Sequence, residues 1–180
     1  MGSCFYSMTP LFDFLPNLMY NYSRRKKREK IMKLYTSYWY NVRFFPRNLI
    51  CLSTVVWPPK YQIKDSTGQP AIIVDCPPLK PGAACEGLCD GHCANKHPWD
   101  CDFLKTYRRQ LDEIDIDIFK STLEHIAEKI KKNEGFEDVD FAFIVYEAER
   151  NKCSERQEIL AWSRDNNLGI EEWRKENDYR

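Results

Sequence analysis

Four of the eight cysteines fall in one short segment, Cys85-x3-Cys89-x3-Cys93-x7-Cys101, with His92 and His97 interspersed and Cys76 just upstream. Tetrahedral zinc takes four thiolate or imidazole ligands from a chain that bends sharply, and Gly87 and Gly91 supply bends between successive thiols. The spacing predicts a zinc ion held by Cys85, Cys89, Cys93 and Cys101. With four protein ligands the site is closed, so the metal is structural and staples a loop. An iron–sulfur cluster takes the same four thiolates. Reduced thiols, or one local disulfide, are the plain alternative.

A second constellation runs from Tyr146 and Glu147 to Cys153 and Arg156. Cys153 stands just before a predicted helix, where unpaired backbone N–H groups and the positive end of the helix dipole stabilise a thiolate or bind an anion. Cys153 is thus a candidate nucleophile, and Arg156 a candidate anion ligand from the first helical turn. The bland reading is a small buried residue at a helix start. A third stretch, Tyr35 to Arg47, interleaves aromatics with arginines, a combination that stacks bases and holds phosphates. Tyr35 and Arg43 are its candidate ligand-binding residues, although Phe44-Phe45 before Pro46 reads equally well as packing. His125 sits beside an apolar helical stripe and reads as a boundary residue, and no Gly-rich phosphate loop or Ser nucleophile elbow is present.

The elements that must position these residues are legible in the periodicity. Leu34 to Tyr38, Leu49 to Val56 and Ala71 to Val74 read as strands bounded by prolines. The stretch from Leu79 to Pro98 reads as a loop. Asp100 is expected to cap a helix containing Phe103, Leu104, Tyr107 and Leu111. A second helical stripe, Ile118 to Ile130, should stop at Gly135. Val139 to Tyr146 is apolar enough for a strand covered on both faces, and a helix over Ser154 to Asn166 precedes a last strand at Ile170 to Trp173. A strand, helix, strand order implies parallel crossovers, so the fold class is α/β: a mostly parallel sheet flanked by helices, with a Cys-rich loop inserted at 76–101. The first and central strands, if parallel, bring Arg43, Arg156 and Cys153 to one sheet end, where open α/β sheets bind ligands.

Lys plus Arg and Asp plus Glu both total 27, so no overall field marks a nucleic-acid coat. No apolar run approaches the roughly 20 residues of a membrane span. Residues 1–31 hold an apolar stretch followed by the basic run Arg24 to Lys30, the reverse of a secretory signal. They are expected to form a disordered basic extension to a single domain at 32–180 in a cytoplasmic protein.

At these residues the chain resembles the domain of unknown function 488 family of bacteria and their phages. Lys33-Leu34-Tyr35-Thr36-Ser37-Tyr38, Val42-Arg43 with Pro46, and Leu49-Ile50-Cys51-Leu52-Ser53 carry its opening. Ile144-Val145-Tyr146-Glu147, Cys153, Ala161-Trp162 and Gly169-Ile170-Glu171-Glu172-Trp173 carry its second half. Family members show Cys-His-Arg where this chain has Cys153-Ser154-Glu155-Arg156, and the cysteine loop is an addition to the family's shorter versions. The resemblance implies an α/β domain with a sheet-end site and no assigned reaction. The expected function is an anion or nucleotide pocket around Cys153, Arg43 and Arg156, with a nucleotide or nucleic-acid component as ligand. The alternative is a zinc-stabilised interaction module that presents its aromatic surface to a protein or nucleic acid.

Overall fold

The computed structural model describes residues 32–89, 100–147 and 154–175, all within the unit Met32–Arg180. Five strands, β1 (Leu34–Tyr38), β2 (Leu49–Ser53), β3 (Ile73–Asp75), β4 (Asp140–Val145) and β5 (Ile170–Glu172), form one sheet in the order β3-β2-β4-β1-β5. Every pairing is parallel. Among the described residues three α-helices accompany them: α1 (Asp102–Asp112), α2 (Ile116–Glu134) and α3 (Glu155–Asp165).

β4 is central because its side chains are apolar in both directions, as a strand buried on two faces requires. Phe141, Phe143 and Val145 face the helices, packing with Tyr107, Phe119, Leu123, Ile159 and Trp162. Ala142 and Ile144 face the other way, toward Trp39, Val42 and Phe45 of the turn that follows β1. That turn is a 3-10 helix, Trp39–Phe44, where the sequence suggested only a loop. Buried hydroxyls reinforce the central strand: Thr36 Oγ1 donates to the Phe143 carbonyl at 3.3 Å and Thr54 Oγ1 to the Ile144 carbonyl at 2.9 Å.

Helix ends follow their local chemistry. Asp115 caps α2, its carboxylate accepting from the backbone N–H groups of Asp117 and Ile118, both at 3.0 Å. Gly135 ends that helix in the left-handed region, at φ 74°, as its position in the sequence predicts. The cap expected at Asp100 is not formed. α1 begins at Asp102 with Cys101 at the cap position and no side-chain cap bond; the Cys101 carbonyl accepts from the Lys105 N–H at 3.1 Å, and the Phe103 and Tyr107 rings stack 6.2 Å apart within the helix.

Three connections decide where a ligand can sit. The chain leaves β1 through Val42 and Phe45, and leaves β2 through Val55 and Ile63, in both cases onto the face opposite the α-helices. From β4 it leaves toward α3, on the helical face. β4 therefore diverges from both of its neighbours at their carboxyl ends, the arrangement that opens a crevice in parallel sheets.

Phe143 is fully buried and stacks on Phe119 at 6.0 Å, and Phe119 in turn meets Trp162 edge to face at 5.5 Å. Phe143→Ala is expected to lower the unfolding free energy by about 3–5 kcal/mol. Urea unfolding checks this, with an unchanged m-value showing that the native state still forms.

Candidate functional site

Beyond the carboxyl ends of β2 and β4 the diverging chains enclose a cleft of about 830 Å³. Val55, Val56 and Trp57 form one wall as the continuation of β2, and Tyr146 faces them as the continuation of β4. Phe103 of α1 and Glu155, the first residue of α3, extend the lining, and Cys85, Glu86 and Cys89 complete the rim. Trp57 is 84% exposed and Tyr146 67%, so two aromatic rings stand open to solvent where a ligand would enter. The charged side chains among the described lining residues are both acidic, Glu86 and Glu155.

The electrostatics centre on a pair of carboxyls. Burial pushes Glu155 up from the usual carboxylate range to about 8, helped by its hydrogen bond to Glu147 and by the Glu147 charge. Two carboxylates in contact cannot both ionise cheaply, so one proton is shared between them at neutral pH. Ser154 braces the pair from the turn before α3: its hydroxyl donates to Glu147 Oε2 at 3.4 Å and accepts from the Arg156 N–H at 3.3 Å. Glu155 Oε2 is buried without a hydrogen-bond partner. Glu155 also acts on its surroundings: burial raises the Cys85 and Tyr107 groups, and the nearby Glu155 carboxyl raises both further. The Tyr107 hydroxyl donates to the Leu79 carbonyl at 2.7 Å.

The residues predicted from sequence divide between two places. Tyr146 and Glu147 belong to the cleft and its carboxyl pair. Arg156 is fully buried, and its Nε lies 2.9 Å from Glu172 Oε1 on β5, so its charge is balanced inside the protein. Arg43 is exposed, donates from Nε to the Tyr40 carbonyl at 3.0 Å and lies over the Tyr40 ring at 3.7 Å. It is not among the described residues that line the cleft. Tyr35 lines a separate groove with Phe44 and Trp173. Cys153 and Cys93 lie outside the described residues. Of the other expected metal ligands, Cys85 and Cys101 are buried and Cys89 is exposed. Among the described residues no three His, Cys, Asp or Glu side chains converge as a metal group. Cys51 and Cys76 are core thiols, each pushed up to about 12 by burial.

Glu155, Trp57 and Phe103 are the cleft residues that sequence reasoning missed. An acidic residue in the first turn of a helix reads as ordinary dipole complementation. Its pairing with Glu147 depends on how the intervening turn closes, and no periodicity signals that. Comparison with protein-family models, with curated proteins and with solved structures finds no match to this chain.

Because the Glu155 carboxyl is raised in the fold, its neutral form is favoured there, and the native state loses stability as pH climbs from about 4.5 through about 8. Glu155→Gln keeps the shape and removes the ionisation. Thermal melts should show the variant matching the parent near pH 4.5 and gaining on it progressively as pH rises toward about 8. A difference that stays constant across that range would contradict the shared proton.

Proposed function

We propose that the cleft binds a nucleobase or nucleoside and exchanges a proton with it through Glu155. The observation that carries this reading is a buried carboxyl pair, Glu155 with Glu147, beside open aromatic walls. Trp57 and Tyr146 offer faces on which a planar heteroaromatic ring can stack. The protonated Glu155 can donate to a ring nitrogen, and the Glu147 charge beside it favours return of the proton to Glu155. A group with a pKa near the working pH is suited to move a proton in either direction. With Glu86 and Glu155 as its charged lining, the cleft favours the base over a phosphate. The resemblance to the domain of unknown function 488 family, which also implies a sheet-end site, supports the location. Cys153, next to Ser154 in the sequence, is kept as the candidate nucleophile.

The cysteine segment enters this reading as a structural element. We assign Cys85, Cys89, Cys93 and Cys101 to one zinc ion, which would fix the rim on which Cys85 and Cys89 stand. Elemental analysis of the purified full chain should find close to one zinc per chain, and four alkylatable thiols without metal would end the assignment.

Calorimetric titration with a panel of nucleosides tests the function. Binding should weaken about tenfold between pH 7 and pH 9, because the protonated fraction falls tenfold for each unit above the pKa. Glu155→Gln, permanently able to donate, should bind with little pH dependence. No binding by any nucleoside, or the same pH profile in parent and variant, would overturn the reading.

A further inference from the structure

On the face of the sheet away from the α-helices, a second groove of about 500 Å³ combines aromatic faces with the positive charge that the described lining of the first lacks. Tyr35, Phe44 and Trp173 line it together with Arg174 and Lys175. Cations and rings alternate: Lys175 Nζ lies 4.3 Å over the Phe44 ring, and Arg43 lies 3.7 Å over Tyr40 and 5.7 Å from Phe44. Tyr40 continues the row, edge to face with Phe44 at 6.0 Å and stacked with Tyr38 at 6.3 Å. Trp173 is anchored edge to face on the buried Phe45 at 4.6 Å, so its position is set by the core.

We infer that this groove binds single-stranded nucleic acid. The charges in the groove favour a polyanion. Asp140, the acidic residue in its lining, already accepts the Lys33 backbone N–H at 2.9 Å, and Arg174 is shared with Glu172 at 3.6 Å. Lys175 and Arg43 are exposed and held over rings, contacts worth only about 0.5–1 kcal/mol in water. An incoming base takes the ring face, and the displaced ammonium or guanidinium turns to the adjoining phosphate. A single free nucleotide would use one ring, whereas Tyr35, Tyr40, Phe44 and Trp173 offer a succession of faces to a strand. Duplex bases are stacked inside the helix and cannot lie on side-chain rings, so a single strand is the form that fits. This site is separate from the carboxyl cleft and does not depend on its ligand.

Fluorescence anisotropy of the full chain with a labelled oligothymidylate of about ten nucleotides tests it. Lys175→Ala and Arg43→Ala, both at exposed positions, should each weaken binding severalfold and flatten the dependence of log affinity on log salt by about 0.7 per lost phosphate contact. Phe44→Leu, which keeps apolar bulk without a flat face, should weaken it on the order of tenfold. Glu155→Gln should leave it unchanged. A duplex of equal length should bind more weakly. Unchanged affinity in the Lys175, Arg43 and Phe44 variants would place any binding on the basic run Arg24 to Lys30 and overturn the inference. Equal binding of the duplex, or preference for an acidic peptide over the strand, would overturn it too.

Discussion

The organisation of this domain depends on one topological constraint. β4 lies between β1 and β2, and the chain departs from β4 to the face opposite the one that both neighbours use. The constraint originates in composition, because a strand apolar on both faces must occupy the middle of a sheet covered on both sides. Once β4 is central, its continuation Tyr146-Glu147 has to separate from Val55–Trp57, and the separation is the cleft. The same divergence leaves the non-helical face to be covered by the short 3-10 helix after β1 and by loops. The cleft and the groove are both consequences of that one placement.

Within the cleft, competing electrostatic effects act on Glu155, and their relative sizes decide its state. The start of α3 presents backbone N–H groups and a dipole that favour a carboxylate, an effect of about 0.3–1 kcal/mol near a surface. Burial and the adjacent Glu147 charge act in the other direction and win, which is why the group titrates near 8 instead of below its usual range. Arg156, one residue on, does not relieve the pair because it is committed to Glu172. A buried arginine beside a protonated glutamate looks wasteful until the geometry shows that each has its own partner.

Much of this was legible in the residues. Runs of β-branched, aromatic and apolar residues located the five described strands, and the three- and four-residue stripes located the helices, with Gly135 marking one end. Parallel pairing of β1 with β4 followed from the strand and helix order. What could not be read was contact between segments far apart in sequence. Arg156 offered the signature of an anion ligand, yet its partner Glu172 lies on the edge strand β5. Arg43 offered the same signature, and the 3-10 helix turns it onto Tyr40. The mixture of aromatic residues and arginines between Tyr35 and Arg47 is the part of the groove's surroundings that the sequence displays as one stretch. That Trp173 and Lys175, from beyond the last strand, complete that surface is tertiary information.

The two surfaces ask for different ligands because they carry opposite charge. The cleft shows carboxyls and open rings; the groove shows rings with cations over them. The first requirement of the function proposed for the cleft is a carboxyl that keeps its proton at neutral pH. Carbon-13 NMR of the side-chain carboxyls, followed through a pH titration of the glutamate-labelled protein, measures this directly. The account predicts one glutamate titrating near 8, returning toward the ordinary carboxylate range in Glu147→Gln. A spectrum in which every glutamate titrates near the unperturbed 4.5 would contradict it.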